Sequence, residues 1–107
     1  MTLNEYQEKA QSFDLTKGTD RHSQHAIFQF LEEAGEVAGV FKRLLRGDYT
    51  DDVAATRLHK ELGDILWYLS QVAMDNGWKL SEVAKENIEK LESRQFRGLI
   101  MGSGNDR

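Results

Sequence analysis

VAATRLHKELGDILWYLSQVAMDNG, residues 53–77, reads as one long helix. Val53, Leu58, Leu62, Ile65, Leu66, Leu69, Val72 and Ala73 recur at steps of three and four, which is the period of a helix face and not of a strand. The pattern stops at Asn76 and Gly77, residues that favour a helix C-terminus. Apolar cover widens around Ile65 to Leu69, so this helix is expected at a bundle centre or against another subunit.

The flanking segments repeat the theme. Upstream, Ala26, Ile27, Phe30, Leu31, Ala34, Val37, Ala38, Phe41, Leu44 and Leu45 keep helical spacing, then Lys42, Arg43 and Arg46 precede Gly47. Cations in the last turn and a glycine stop mark the end of a second long helix. Before it, LTKGTDRHSQ (residues 15–24) breaks the period and reads as a loop. The opening TLNEYQEKAQSFD predicts a first helix over about 3–14, with Thr2 and Glu5 at capping-box spacing and Leu3, Tyr6, Ala10 and Phe13 as its core stripe. Downstream, Ser81 is the expected N-cap of an amphipathic helix carrying Val83, Ala84, Ile88 and Leu91 and ending near Arg94. Residues 97–107 read as an irregular tail. The expectation is an all-α, four-helix-type bundle in one domain spanning 1–107, completed by oligomerisation.

Composition agrees and narrows the function. The 107 residues contain no proline, and most of the nine glycines fall between or after the periodic segments. With no cysteine, disulfides and thiolate metal sites are excluded. A formal charge of -4, from 14 basic and 18 acidic side chains, argues against nucleic acid or an anionic membrane as partner. No membrane-length apolar run is present, and the cytoplasm, of a cell or of an infected host, is the expected compartment.

Acidic residues interrupt the two long helices where they should be greasy. LEEAGEVAG (residues 31–39) holds Glu32, Glu33 and Glu36; HKELGDILW (residues 59–67) holds Glu61 and Asp64. Glu33 and Glu36 share a helix face, as do Glu61 and Asp64, each pair being three residues apart. If the helices are antiparallel neighbours, four carboxylates meet near mid-helix. A hard cation, Mg²⁺ or Mn²⁺, would relieve their repulsion and leave coordination positions for water or phosphate oxygens. Gly35, Gly39 and Gly63 sit beside the acids at a helix cost of about 1 kcal/mol each, consistent with close helix approach or room for a ligand.

EEAGE (32–36) followed by ELGD (61–64) resembles the EExxE and ExxD signature of the MazG-like all-α nucleoside triphosphate pyrophosphohydrolases. KENIEKLESR (85–94) is similar to the family's final helix, and the ending from Arg97 to Arg107 is similar to the tails of small single-domain phage and bacterial members. The resemblance implies Mg²⁺-dependent hydrolysis of a (deoxy)nucleoside triphosphate to the monophosphate and pyrophosphate by a metal-activated water, in the service of nucleotide-pool control. It implies metal ligation by Glu33, Glu36, Glu61 and Asp64, with Glu32 supporting them or orienting and deprotonating the attacking water. It further implies phosphate contacts from Asn87, Lys90 and Arg94, which form one ridge on the fourth helix, and a homodimer or homotetramer. A dUTPase-like activity lies within the same superfamily, and a helical interaction module with merely solvated acids is the rival outside enzymes.

Other residues carry plainer expectations. Lys60 and His59 are read as surface groups, His22 and His25 as loop or solvent positions, Trp67 and Tyr6 as core, and Trp78 as packing for the turn after residue 77. GSG at 102–104 lacks the lysine and helix of a phosphate loop. With Arg97 and Arg107 beside it, the tail is a candidate cover for the substrate.

Overall fold

A computed structural model describes residues 1–17 and 22–107. Four helices make up the chain: α1 (Leu3–Gln11), α2 (His22–Leu45), α3 (Asp51–Asp75) and α4 (Leu80–Phe96). The all-α expectation holds, and no strand occurs among the described residues. The expected loop at 15–24 ends sooner than its composition suggests, since His22 already opens α2; residues 18–21 of that loop lie outside the described residues.

Local chemistry sets the helix ends. Thr2 and Glu5 exchange capping bonds, Thr2 N–H donating to Glu5 Oε2 at 2.8 Å and Glu5 N–H to Thr2 Oγ1 at 3.1 Å. Thr50 Oγ1 accepts from Val53 N–H to start α3. The α2–α3 connection reverses direction at Gly47 (φ 82°), a left-handed conformation glycine takes without strain; Asp48 N–H then returns to Arg43 O at 2.9 Å. Gly77 (φ 75°) plays the same part after α3.

One sequence expectation fails at α4. Ser81 is not its N-cap; it lies inside the first turn, and Lys79 takes the cap position. The first amides of α4 are instead satisfied from α1. Leu80 N–H donates to Gln7 Oε1 at 3.0 Å and Ser81 N–H to Asn4 Oδ1 at 3.1 Å, so a serine hydroxyl is not required there.

The apolar stripe expected on α1 is also displaced. Its buried residues are Gln7, Ala10 and Gln11, while Leu3 and Phe13 face outward and Tyr6 is half-buried. The glutamines serve backbone and side-chain groups near the end of α3. Gln7 Nε2 donates to Trp78 O at 3.0 Å and Ser70 O at 3.3 Å; Gln11 Nε2 donates to Ser70 Oγ at 2.9 Å; Gln71 Nε2 reaches Asp14 at 3.2 Å. Trp67 adds Nε1–H to Ala10 O at 3.1 Å. This buried polar seam fixes α1 against α3 by directional bonds, each a cost if broken.

Packing runs outward from α3. α2 lies along α3 and, among the described residues, against no other helix, whereas α1 bridges α3 and α4. The pairing is antiparallel: His25 near the start of α2 meets the Tyr68 ring late in α3, while Glu33 meets Glu61 and Asp64 near the middle. The buried apolar residues among those described are small, Leu80 apart: Ala10, Ala26, Val40, Ala54 and Ala73. Ile65 and Leu66 are only half-buried, and large side chains such as Phe28, Leu31 and Leu62 stand exposed.

Candidate metal centre

The mid-helix crossing of α2 and α3 brings three acids together. One carboxylate oxygen from each of Glu33, Glu61 and Asp64 lies within 4.8 Å of the other two. Helix geometry supplies the placement: Glu61 and Asp64 share the α3 face turned to α2, and Glu33 sits opposite on α2. Glu36, one turn further along α2, is exposed and outside this trio; Glu32 is exposed beside it, close enough for its charge to act on Glu33.

Crowding shows in the proton affinities. The Glu33 carboxyl is pushed from an ordinary 4.5 up to about 7, first by burial, then by a hydrogen bond with Glu61, then by the charges of Asp64, Glu61 and Glu32. Protonated, it can donate to Glu61; ionised, it adds a third negative charge to the cluster. The field reaches further. Burial raises the Tyr68 hydroxyl, helped by Glu33, Asp64, Glu32 and Asp14; burial and the Asp64 charge do the same to Tyr6.

Residue-level reading of the sequence passed over Tyr68. It follows Asp64 by four residues and Glu61 by seven, the same helix face, and that spacing is the signal that finds it. His25 belongs here too, not in solvent: it lies on α2 eight residues before Glu33, edge-on to Tyr68 at 6.4 Å between ring centroids, with Nδ1 buried and, among the described residues, without a hydrogen-bond partner. Gln29, between His25 and Glu33, approaches His25 Nε2 at 3.5 Å. Trp67 stacks on Tyr68 at 4.9 Å.

Next to the acids, a cavity of about 430 Å³ is lined by Tyr6, Lys9, Phe13, Gly63, Asp64 and Trp67 among others. A Cβ at Gly63 or at Gly35 would meet nothing within 4 Å, so within this chain both glycines border open space and not a close helix contact.

The ridge on α4 is arranged differently from the acids. Asn87 and Lys90 line a shallow groove with Val83, Glu86 and Glu89, and none of the three converging acids lines it. Arg94 is buried and holds the C-terminal tail through Gly104 and Asn105. Lys60 and His59 are exposed, and Trp78 is exposed beside a small apolar cavity lined by Phe30 of α2 together with residues of α3 and α4.

A model of the MazG nucleotide pyrophosphohydrolase domain matches residues 21–97, a span holding both acidic motifs and α4. The chain belongs to the MazG family. Within this MazG domain the EEAGE and ELGD segments supply the trio above. The chain is also 42% identical over 82 residues to the Gene 37 protein of Mycobacterium phage L5, covering 70% of this chain and 68% of that one. No solved structure matches it. Among the described residues of the MazG domain, no helix is long and apolar enough to cross a membrane.

Proposed function

We propose that this chain is a Mg²⁺-dependent enzyme that hydrolyses a (deoxy)nucleoside triphosphate between its α and β phosphorus atoms, releasing the monophosphate and pyrophosphate. The observation that carries the reading is the convergence of Glu33, Glu61 and Asp64 in a MazG domain. The donor set fits a hard divalent ion: all donors are carboxylate oxygens, and burial, a hydrogen bond with Glu61 and the neighbouring acidic charges, in that order, raise Glu33 to about 7. Mn²⁺ suits the same oxygens.

Glu33, Glu61 and Asp64 would hold the ion, with Glu36 joining by a rotamer change from the next turn. When bound, such an ion neutralises phosphate charge and makes a water more acidic. Glu32, beside the trio and exposed, orients the attacking water and takes its proton on a carboxylate oxygen. Asn87, Lys90 and Arg94 bind phosphate oxygens, compensating for a net charge that would otherwise repel the substrate. The chain works as a homodimer or homotetramer in the cytoplasm, where it trims the nucleotide pool.

The test is a panel of the eight common ribo- and deoxyribonucleoside triphosphates with Mg²⁺, scored by pyrophosphate and by the monophosphate formed. Pyrophosphate release from at least one nucleotide is expected. Asp64→Asn and Glu61→Gln should each lower kcat by roughly 10²–10³-fold while far-UV circular dichroism stays unchanged. A wild-type chain that releases no pyrophosphate from any of them overturns the reading.

A further inference from the structure

Three glycines shape the C-terminal segment. Gly98 (φ 71°), Gly102 (φ 134°) and Gly104 (φ 85°) all occupy conformations that only glycine takes freely, and together they curl residues 98–107 back onto α4. Arg107 staples the curl internally, donating from Nε to Leu99 O at 2.9 Å, from Nη2 to Ile100 O at 2.9 Å and from Nη1 to Gly104 O. A second staple joins Arg97 Nη2 to Arg107 O at 2.8 Å.

The curl lands on two cations. Asn105 Oδ1 accepts from Lys90 Nζ at 3.3 Å and from Arg94 Nη2 at 3.4 Å, and the same Nη2 reaches Asn105 O at 2.9 Å and Gly104 O at 3.4 Å. Arg94 ends up only 5% exposed. No carboxylate among the described residues pairs with it, and its Nε is buried with no hydrogen-bond partner. Burying a guanidinium against neutral carbonyls, with one donor left idle, is poor compensation for lost water. Phosphate oxygens would serve the same donors better, since a charge-assisted bond is roughly twice as strong as one to a neutral acceptor.

We infer that residues 98–107 form a latch over a phosphate-type anion site made by Lys90 and Arg94, their oxygens standing where a pyrophosphoryl group would bind. This rests on the reading of Lys90 and Arg94 as phosphate contacts and adds regulation to it. The tail competes with substrate and product for the two cations and is displaced when one binds, so it covers the empty site and not the filled one.

Arg107→Ala tests the latch without touching the proposed contacts. Titration calorimetry with sodium pyrophosphate in EDTA, free of metal and turnover, should show the variant binding about tenfold tighter than the unaltered chain. Adding Lys90→Ala to that variant should abolish the gain. In the unaltered chain, saturating pyrophosphate should speed amide hydrogen exchange across residues 99–107. Arg107→Ala binding no tighter, exchange that stays constant or slows, or no binding by either chain overturns the latch. Because the titration needs no hydrolysis, its outcome is separate from the nucleotide panel: an inactive chain can still pass it, and an active one can fail it.

Discussion

Under the proposed function, Glu33 is the residue at which protonation and metal binding would compete. Its carboxyl titrates at about 7 in the folded chain against 4.5 ordinarily, so between those values the folded state holds a proton that the unfolded state has released. Its contribution is therefore complete below the unfolded value and is lost as pH rises through the folded one. Metal-free protein should melt at lower temperature at about pH 8 than at about pH 5 for this reason, and Glu33→Gln should flatten that part of the slope. Mg²⁺ must displace the proton, so its affinity should climb with pH and level off above about 7. Calorimetric Mg²⁺ titrations at several pH values check this; affinity independent of pH would detach Glu33 from the ion.

Among the elements, all four helices are legible in the sequence, and for the short α1 so is its Thr2–Glu5 cap, but what α1 buries is not. Apolar periodicity locates α2 and α3, and acids at i, i+3 steps point to the crossing where Glu33, Glu61 and Asp64 converge, because both signals depend on helix geometry. Glu36 illustrates the limit: spacing places it on the right side of α2, but convergence depends on where the helices cross, and the trio forms one turn earlier. Apolar spacing assigns α1 a core of Leu3, Tyr6, Ala10 and Phe13, yet it buries Gln7 and Gln11, because the groups they satisfy lie late in α3 and at the start of α4, 59 to 73 residues away. The expected Ser81 cap fails for the same reason, since Asn4 of α1 accepts from the Ser81 amide. Replacing Gln7 by leucine leaves Leu80 N–H and Trp78 O without their partner, and should cost about 1–3 kcal/mol in denaturant titrations. Glu8→Ala, on the exposed side of the same helix, should stay within about 0.5 kcal/mol.

For the whole molecule, what α2 leaves uncovered argues that one chain is not the complete folding unit. Its radius of gyration is 16.7 Å, whereas a compact domain of this length needs about 13 Å. Phe28 is 69% exposed, Leu31 59% and, on α3, Leu62 54%, and none of the largest apolar side chains is fully buried. Apolar exposure of this kind on a helix with a single neighbour marks an interaction surface. A second copy is the partner that needs no further component, and a two-fold arrangement lets one surface cover its own counterpart. Light scattering coupled to gel filtration should return a multiple of the chain mass at micromolar concentration. Leu31→Glu places a charge in the proposed seam, one position from Glu32, and should shift the population toward monomer with loss of cooperative melting. Lys85→Glu, a charge change on the exposed side of α4, should leave the mass unchanged. A unaltered chain that is monomeric and melts cooperatively would show that the exposed α2 face is tolerated alone, and the site would then have to be complete within one protomer.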